Sequence, residues 1–196
     1  TGAARWLLPV AFRPGDHILS VREGVDVIPS NRSLERATQK RSAELASRLE
    51  RLWAATSGVD HVLVDTPPQA GELVTASLLS ADNVLCPVAP GRGAVDGLIH
   101  LMDYTRRIGG ADLWGAFACN VDLRSKLHKQ VPTDLVEKLG EKASRYFVRS
   151  TVQLQEAETA SELPSNYCPG ATAWEDYRAL TADLYDLTTD VEGTHV

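Results

Sequence analysis

Val62-Leu63-Val64-Asp65-Thr66-Pro67-Pro68 is an apolar run that ends in one carboxylate and two prolines. An apolar run without alternation predicts a strand that is buried on both faces, as in parallel α/β sheets. Such a strand places Asp65 at its carboxyl end, where ligands bind in open α/β folds, so Asp65 is a candidate for a Mg²⁺-nucleotide site. On this segment alone, an aspartate that caps the following helix is an equally good interpretation.

The composition is that of one ordinary soluble domain with a substantial core. The chain has 196 residues, of which 43% are hydrophobic and 23% charged, and its formal net charge is −6. No apolar run reaches the roughly 20 residues that a membrane-spanning helix needs. The spacing of Cys86, Cys119 and Cys168 fits neither a disulfide framework nor a zinc site. We therefore expect a cytoplasmic protein without a membrane anchor.

Strand and helix patterns alternate along the chain. Strands are predicted at residues 25–28, 62–65, 83–88 and 113–121, and helices at residues 33–55, 71–80, 94–108, 131–146 and 174–187. In the last helix, Trp174 and Tyr177 have the spacing of core residues. This alternation predicts an α/β fold, in which a doubly wound and mostly parallel sheet is flanked by helices.

The stretch from Arg124 to Arg149 is basic, although the whole chain is acidic. It has seven basic and three acidic residues, which gives a net charge of +4. The basic residues are Arg124, Lys126, Lys129, Lys138, Lys142, Arg145 and Arg149. Lys138, Lys142 and Arg145 are spaced by four and three residues, which predicts one helical face. The charge pattern is compatible both with sequence-independent contacts to DNA phosphates and with a solvated helix face.

Five blocks carry a resemblance to a known family. They are VDVIPS (25–30), DHVLVDTPP (60–68), ADNVLCPV (81–88), AVDGL (94–98) and VQLQEA (152–157). Their order and spacing resemble those of ParA-type partition ATPases, the deviant-Walker P-loop proteins related to MinD. The resemblance implies a P-loop NTPase-like fold from about Gly24 to Leu187.

ParA-type proteins begin with a strand, a glycine-rich loop of the KGGVGKT kind and a helix. No Gly-x-x-x-x-Gly-Lys-[Ser/Thr] string occurs in the 196 residues. The resemblance therefore implies that a βαβ-sized unit of roughly 40 residues precedes Thr1. Residues 1–196 are then expected to be the C-terminal three quarters or so of a single ParA-like ATPase domain.

The resemblance also implies roles for individual residues. Asp65 matches the Walker B acid, which is catalytic and holds Mg²⁺ through water, and Thr66, Pro67 and Pro68 match the switch that senses the γ-phosphate. Asn120 follows a predicted strand, where it either contacts the base or caps the turn into Asp122. Residues 149–154 resemble the segment that lies against the base and the dimer partner, but Ser150-Thr151 stands where Arg-Asn is usual.

The function implied by the resemblance is ATP-dependent segregation of plasmid or chromosomal DNA. ATP and Mg²⁺ are expected to join two subunits, and ADP is the product. The nucleoid-associated dimer is expected to bind DNA nonspecifically through Lys138, Lys142, Arg145 and Arg149, while a ParB-like centromere-binding protein stimulates hydrolysis. Three alternatives remain: a non-catalytic scaffold that lacks the P-loop, a MinD-like positioning ATPase, and an amidoligase-type ATP user.

Overall fold

The computed structural model describes residues 19–22, 24–29, 41–54, 56, 58–67 and 70–192. The strands are β1 (Leu19–Arg22), β2 (Val25–Val27), β3 (Asn83–Val88) and β4 (Asp112–Ala118). The helices are α1 (Ser42–Ala54), α2 (Glu72–Ser80), α3 (Ala94–Ile108), α4 (Lys126–Leu139), α5 (Val152–Ala160), α6 (Pro164–Tyr167) and α7 (Thr172–Glu192), with a 3₁₀ turn at Gly140–Lys142. The described residues divide into two compact units, the first formed by those up to residue 82 with 105–111 and the second by residues 83–104 with those from 112 onward.

The first unit contains a small hairpin and a helix pair. β1 and β2 pair antiparallel, which confirms the predicted strand at Val25 but gives it an exposed ribbon rather than a parallel sheet. α1 packs against α2 around Leu45, Ala46 and Ala76. The first part of the predicted helix, residues 33–40, lies outside the described residues.

The segment 59–67 corrects the strand predicted at residues 62–65. It forms neither helix nor strand, and Val62, Leu63 and Val64 are 43%, 88% and 38% exposed. A strand exists only where a neighbouring strand accepts and donates its backbone hydrogen bonds. Within the described part of the chain, no strand pairs with this segment, so its apolar side chains remain in solvent.

The second unit is built on a parallel pair of strands covered by helices on both faces. β3 and β4 are in register from Asn83 with Asp112 to Val88 with Ala118. A bulge between Val84 and Leu85 leaves Trp114 without a partner, and this reverses the alternation of β4. Leu113 and Ala116 consequently face the core cluster formed with α3 and α4, whereas Phe117 packs against α7.

A third backbone segment lies beside β4 and completes its hydrogen bonding. Residues 143–150 run parallel to it, with bridges from Ala116 to Ala143 and from Val121 to Arg149. The N–H groups of Ser144 and Val148 donate to the carbonyls of Ala116 and Ala118 at 2.8 and 2.9 Å. β4 is therefore an interior strand, and the doubly wound α/β class is confirmed within this unit.

The helix ends were predicted in one case and misjudged in another. α3 ends at Ile108, the end of the predicted helix, and is followed by Gly109 at φ +67°. The helix predicted at residues 131–146 exists, but its bounds are wrong, because α4 runs from Lys126 to Leu139 and is followed by Gly140 at φ +58°. Lys142 lies in the 3₁₀ turn and Arg145 in a bend after it, so the expectation that they share one helical face with Lys138 is wrong.

Candidate functional site

The carboxyl ends of β3 and β4 lie at one edge of the sheet, where open α/β folds bind ligands. The chain leaves β4 through residues 119–125. Asn120 has a φ of +56°, a left-handed conformation that asparagine tolerates better than most residues, and its side chain is exposed. This geometry supports the turn interpretation of Asn120, whereas its contact with a base stays a prediction.

A compact ionic cluster organises this loop. The backbone N–H and Nε of Arg124 donate to Oδ1 of Asp122 at 2.9 and 3.0 Å, and Nη2 donates to Oδ2 at 2.8 Å. These hydrogen bonds lower the pKa of the Asp122 carboxyl to about 2. The N–H of Asp122 donates to Nδ1 of His128 at 3.1 Å, while Ser125 caps α4. The cluster therefore ties the turn to the first turn of α4.

Arg149, predicted to contact DNA, is held by a carboxylate of α7. Its Nε donates to Oδ2 of Asp176 at 2.8 Å and its Nη2 to Oδ1 at 2.6 Å, and its backbone N–H also donates to Oδ2. These bonds raise the pKa of Arg149. Next to it, Thr151 accepts a hydrogen bond from the N–H of Leu154 and caps α5. The local role of both residues is therefore structural, and a contact of Arg149 with DNA stays a prediction.

The predicted Mg²⁺ residue belongs to the first unit. Asp65, Thr66 and Pro67 lie in the exposed segment 59–67, and Pro68 lies outside the described residues. A solvent-exposed carboxylate suits Mg²⁺, which prefers oxygen ligands and retains several of its waters. The 196 residues contain no P-loop string and so offer no phosphate cradle of that kind, and the Mg²⁺ role of Asp65 stays a prediction.

The remaining basic residues are open to solvent. Lys138, Lys142 and Arg145 are all exposed, and within the described ranges none of them forms an ion pair. Lys126 and Lys129 are exposed as well, in the first turn of α4. The basic character of this stretch is thus available to an anionic partner, although it is distributed over a helix, a 3₁₀ turn and a bend.

Sequence patterns missed an aromatic groove in the second unit. It has a volume of about 490 Å³ and is lined by Leu154, Gln155, Glu158, Pro164, Trp174 and Tyr177. The prediction that Trp174 and Tyr177 are core residues is wrong for Tyr177, which is 38% exposed, and Trp174 is only half-buried. Their spacing of three residues along α7 also fits a shared solvent-facing surface.

The cysteines give no indication of a metal centre. Burial raises the pKa of the Cys86 and Cys119 thiols, which disfavours the thiolate that a metal requires, and Cys168 is buried. Across the described residues, no group of three or more His, Cys, Asp or Glu could hold a metal ion. None of the helices in this part of the chain is long and apolar enough to cross a membrane.

Known proteins resemble this chain over most of its length. A family model described as an AAA domain matches residues 15–112, which is half of the chain. An uncharacterized protein of Mycobacterium tuberculosis is 25% identical over 172 residues, which cover 84% of this chain and 54% of the relative. The chain therefore spans about half the length of that relative.

Two further relatives are named as a ParA family protein and as a chromosome-partitioning ATPase. A ParA family protein of Chlamydia muridarum is 29% identical over 178 residues, which cover 86% of this chain and 69% of the relative. The chromosome-partitioning ATPase Soj of Thermus thermophilus is 27% identical over 169 residues, which cover 83% of this chain and 66% of the relative.

Solved structures share the fold. Cobyrinic acid a,c-diamide synthase from Mycobacterium smegmatis, with bound ATP analog and magnesium, has a TM-score of 0.62 and 22% identity, and the match covers 83% of this chain and 74% of that one. A plasmid partition protein from Borrelia burgdorferi has a TM-score of 0.58 and 19% identity, with 73% and 62% covered. Because the AAA-domain match spans half of the chain and the named relatives are ParA proteins, this chain belongs to the ParA-type family of P-loop ATPase folds.

Proposed function

We propose that the protein containing this chain is an ATP-dependent partition ATPase that segregates DNA. The observation that carries the proposal is membership of the ParA-type family together with the parallel β3–β4 pair, whose carboxyl edge is the usual ligand edge. ATP and ADP are the proposed ligands, with Mg²⁺ held through water by Asp65. Thr66, Pro67 and Pro68 are the proposed switch that responds to the γ-phosphate.

Asp65 is the residue through which the enzymatic part of the proposal is tested. In the protein purified at the full length of its reading frame, Asp65→Ala should abolish most Mg²⁺-dependent ATP hydrolysis and weaken Mg²⁺-dependent binding of a fluorescent ATP analogue. Asp60→Ala is the matched control, because Asp60 is also an exposed acid of the same segment. If Asp65→Ala kept both properties, its assignment would be wrong; absence of ATP binding in the wild type would favour the scaffold alternative.

DNA binding is proposed to be electrostatic and independent of sequence. Lys138, Lys142 and Arg145 are exposed and unpaired in the described structure. Each cation that contacts a phosphate releases counterions from the DNA, which makes binding salt-dependent. The triple alanine variant should bind duplex DNA more weakly on all sequences, with a salt slope lower by about one for each lost contact. Arg92→Ala, an exposed cation outside the basic stretch, is the control.

Dimerisation and the protein partner complete the proposal. We propose that ATP joins two subunits, that the dimer associates with the nucleoid in the cytoplasm, and that a ParB-like centromere-binding protein stimulates hydrolysis. The names of the relatives support this assignment. Sedimentation velocity with and without ATP and Mg²⁺ measures the dimer, and a protein that stays monomeric under both conditions would contradict it.

A further inference from the structure

α7 binds both ends of the backbone segment 143–150. Near the beginning of this segment, the hydroxyl of Ser144 donates a hydrogen bond to Oδ2 of Asp183. At its end, Arg149 is bound by Asp176, which lies about two helical turns earlier on α7. Residues separated by two turns lie on the same face of a helix, so both carboxylates come from one face of α7. The two contacts have similar chemistry, but they lie at opposite ends of the segment.

The end of the segment lies at the ligand-binding edge of the sheet. Because residues 143–150 run parallel to β4, Arg149 is beside Val121, just past the carboxyl end of the strand, whereas Ser144 is bonded to Ala116 within it. Open α/β folds bind their ligands outside the carboxyl ends of the strands. Of these two contacts, the one between Arg149 and Asp176 is therefore the nearer to a ligand bound at this edge.

Backbone hydrogen bonds connect this contact to the turn that carries Asn120. The N–H of Val121 donates to the carbonyl of Val148, and the N–H of Ser150 donates to the carbonyl of Val121, both at 3.0 Å. Asn120 has a φ of +56°, a conformation that the surrounding structure has to hold in place. The position of the turn therefore depends on the position of residues 148–150.

The contact between Arg149 and Asp176 fixes the backbone as well as the side chain. Asp176 accepts hydrogen bonds from the backbone N–H, Nε and Nη2 of Arg149, and Nη2 also donates to the carbonyl of Thr172. The two charged side chains are 32% and 14% exposed, so water screens their interaction only in part. Two-point hydrogen bonds between ionised groups impose a defined geometry. Asp176 thus anchors residue 149 by its main chain and its guanidinium together.

We propose that Asp176 is a positioning residue for nucleotide binding, which acts through Arg149 and does not touch the ligand. Asp176 holds residues 148–150, and with them the Asn120 turn, in the arrangement that a nucleotide at the carboxyl edge of β4 requires. Without the ion pair, this backbone becomes ordered only when the ligand binds, and the entropic cost of ordering it lowers the affinity. The inference rests on the proposed nucleotide-binding function and deepens it by assigning a role to α7.

Asp176→Asn tests the proposal, because it keeps the size of the side chain and removes its charge. In the protein purified at the full length of its reading frame, the Kd for a fluorescent ATP analogue with Mg²⁺ should rise about tenfold, which corresponds to ordering the backbone of roughly one residue on binding. Asp183→Asn is the matched control, since it alters the other contact between the same segment and the same helix, and it should leave the Kd unchanged. Equal weakening by both variants would mean general loosening of the segment and would overturn the proposal.

Amide hydrogen exchange on the same proteins without nucleotide measures the positioning directly. Asp176→Asn should speed exchange at Val121 and Ser150, whose N–H groups join the turn to the segment, and saturating nucleotide should restore most of the protection. Asp183→Asn should speed exchange at Ser144 instead. Unchanged protection at Val121 and Ser150 in Asp176→Asn would overturn the proposal even if the affinity fell.

Arg149→Lys gives a second test that does not depend on the folding of Asp176→Asn. It keeps the positive charge and the backbone N–H bond but loses the planar two-point contact, so the Kd should rise about threefold. Since the assays contain no DNA, a contact of Arg149 with DNA does not affect them. Absence of nucleotide binding by the wild type would overturn the proposed function and this inference with it. Wild-type binding that neither Asp176→Asn nor Arg149→Lys weakens would overturn the inference alone.

Discussion

Leu63 and Leu113 stand in similar apolar runs, but Leu63 is 88% exposed and Leu113 is 7% exposed. The run around Leu113 forms β4, which has β3 on one side and residues 143–150 on the other, with helices over both faces. The run around Leu63 has no strand partner within the described residues. The difference shows that apolar content makes a segment competent to be a strand, while hydrogen-bonding neighbours determine whether it becomes one.

The most direct test compares the same substitution in the two runs. Leu113→Ala should lower the free energy of unfolding of the chain by about 2–5 kcal/mol, because it removes buried methyl groups from the cluster under α3 and α4. Leu63→Ala should change it by less than about 0.5 kcal/mol. Urea denaturation followed by circular dichroism measures both values. A comparable loss for Leu63→Ala would mean that residues 62–64 are buried after all.

The second test destabilises residues 143–150, which run beside β4 on the side away from β3. Arg149 lies in that segment and is anchored by Asp176, and the two side chains are 32% and 14% exposed. Arg149→Ala should cost about 1.5–3 kcal/mol, as expected for hydrogen bonds to a charged group. Glu175→Ala, which removes the neighbouring exposed carboxylate, is the control. In a double-mutant cycle with Asp176→Ala, additive losses would show that the ion pair contributes nothing.

The third test strengthens the helix over β4. Gly97 lies within α3 and is exposed, and a Cβ built there meets nothing within 4 Å. Gly97→Ala should therefore raise the free energy of unfolding by about 0.8–1 kcal/mol through helix propensity. Gly110→Ala is the contrasting variant, because its Cβ would lie 2.8 Å from the carbonyl oxygen of Leu78. Thermal unfolding should show Gly110→Ala destabilised; equal shifts for the two variants would contradict the geometry.

The smallest effect is expected in the turn that follows β4, where solvent reaches the Asp122–Arg124 pair, with side chains 32% and 91% exposed, and screens the interaction. Its folded pKa of about 2 lies below the ordinary value of 3.8, so its stabilisation is present above about pH 4 and disappears as the pH falls through 2. Asp122→Asn should reduce the loss in the free energy of unfolding between pH 5 and pH 2, as measured by urea denaturation. Arg124→Ala should reduce this loss similarly. A pH dependence that is unchanged in both variants would contradict the ion pair.

Local patterns predicted the helices well. α3 and α7 were placed by the spacing of their apolar residues, and the end of α3 by Gly109, because these signals act within a few residues of the backbone they organise. The end of α4 was missed although Gly140 gave the same signal. Apolar spacing was carried from Leu139 to Tyr146, and this error also placed Lys142 and Arg145 on a helix that does not reach them.

The candidate sites depended more strongly on contacts between distant residues. Arg149 was identified as a cation, but its partner Asp176 is 27 residues away and has no local pattern that marks it. Tyr177 has the spacing of a core residue, yet only the packing of α5 and α6 shows that its ring lines a groove. The roles of Asp65 and Asn120 rest on the family resemblance, and both remain predictions.

The amino-acid sequence alone established the alternation of strands and helices, the basic stretch and the ParA-type resemblance, because each is encoded in residues close together or in blocks with characteristic order. The tertiary structure decided which apolar run became an interior strand, which arginine was neutralised and which aromatic side chains faced solvent. The physical reason is that burial and hydrogen bonding are properties of pairs, and the second member of each pair lies far along the chain.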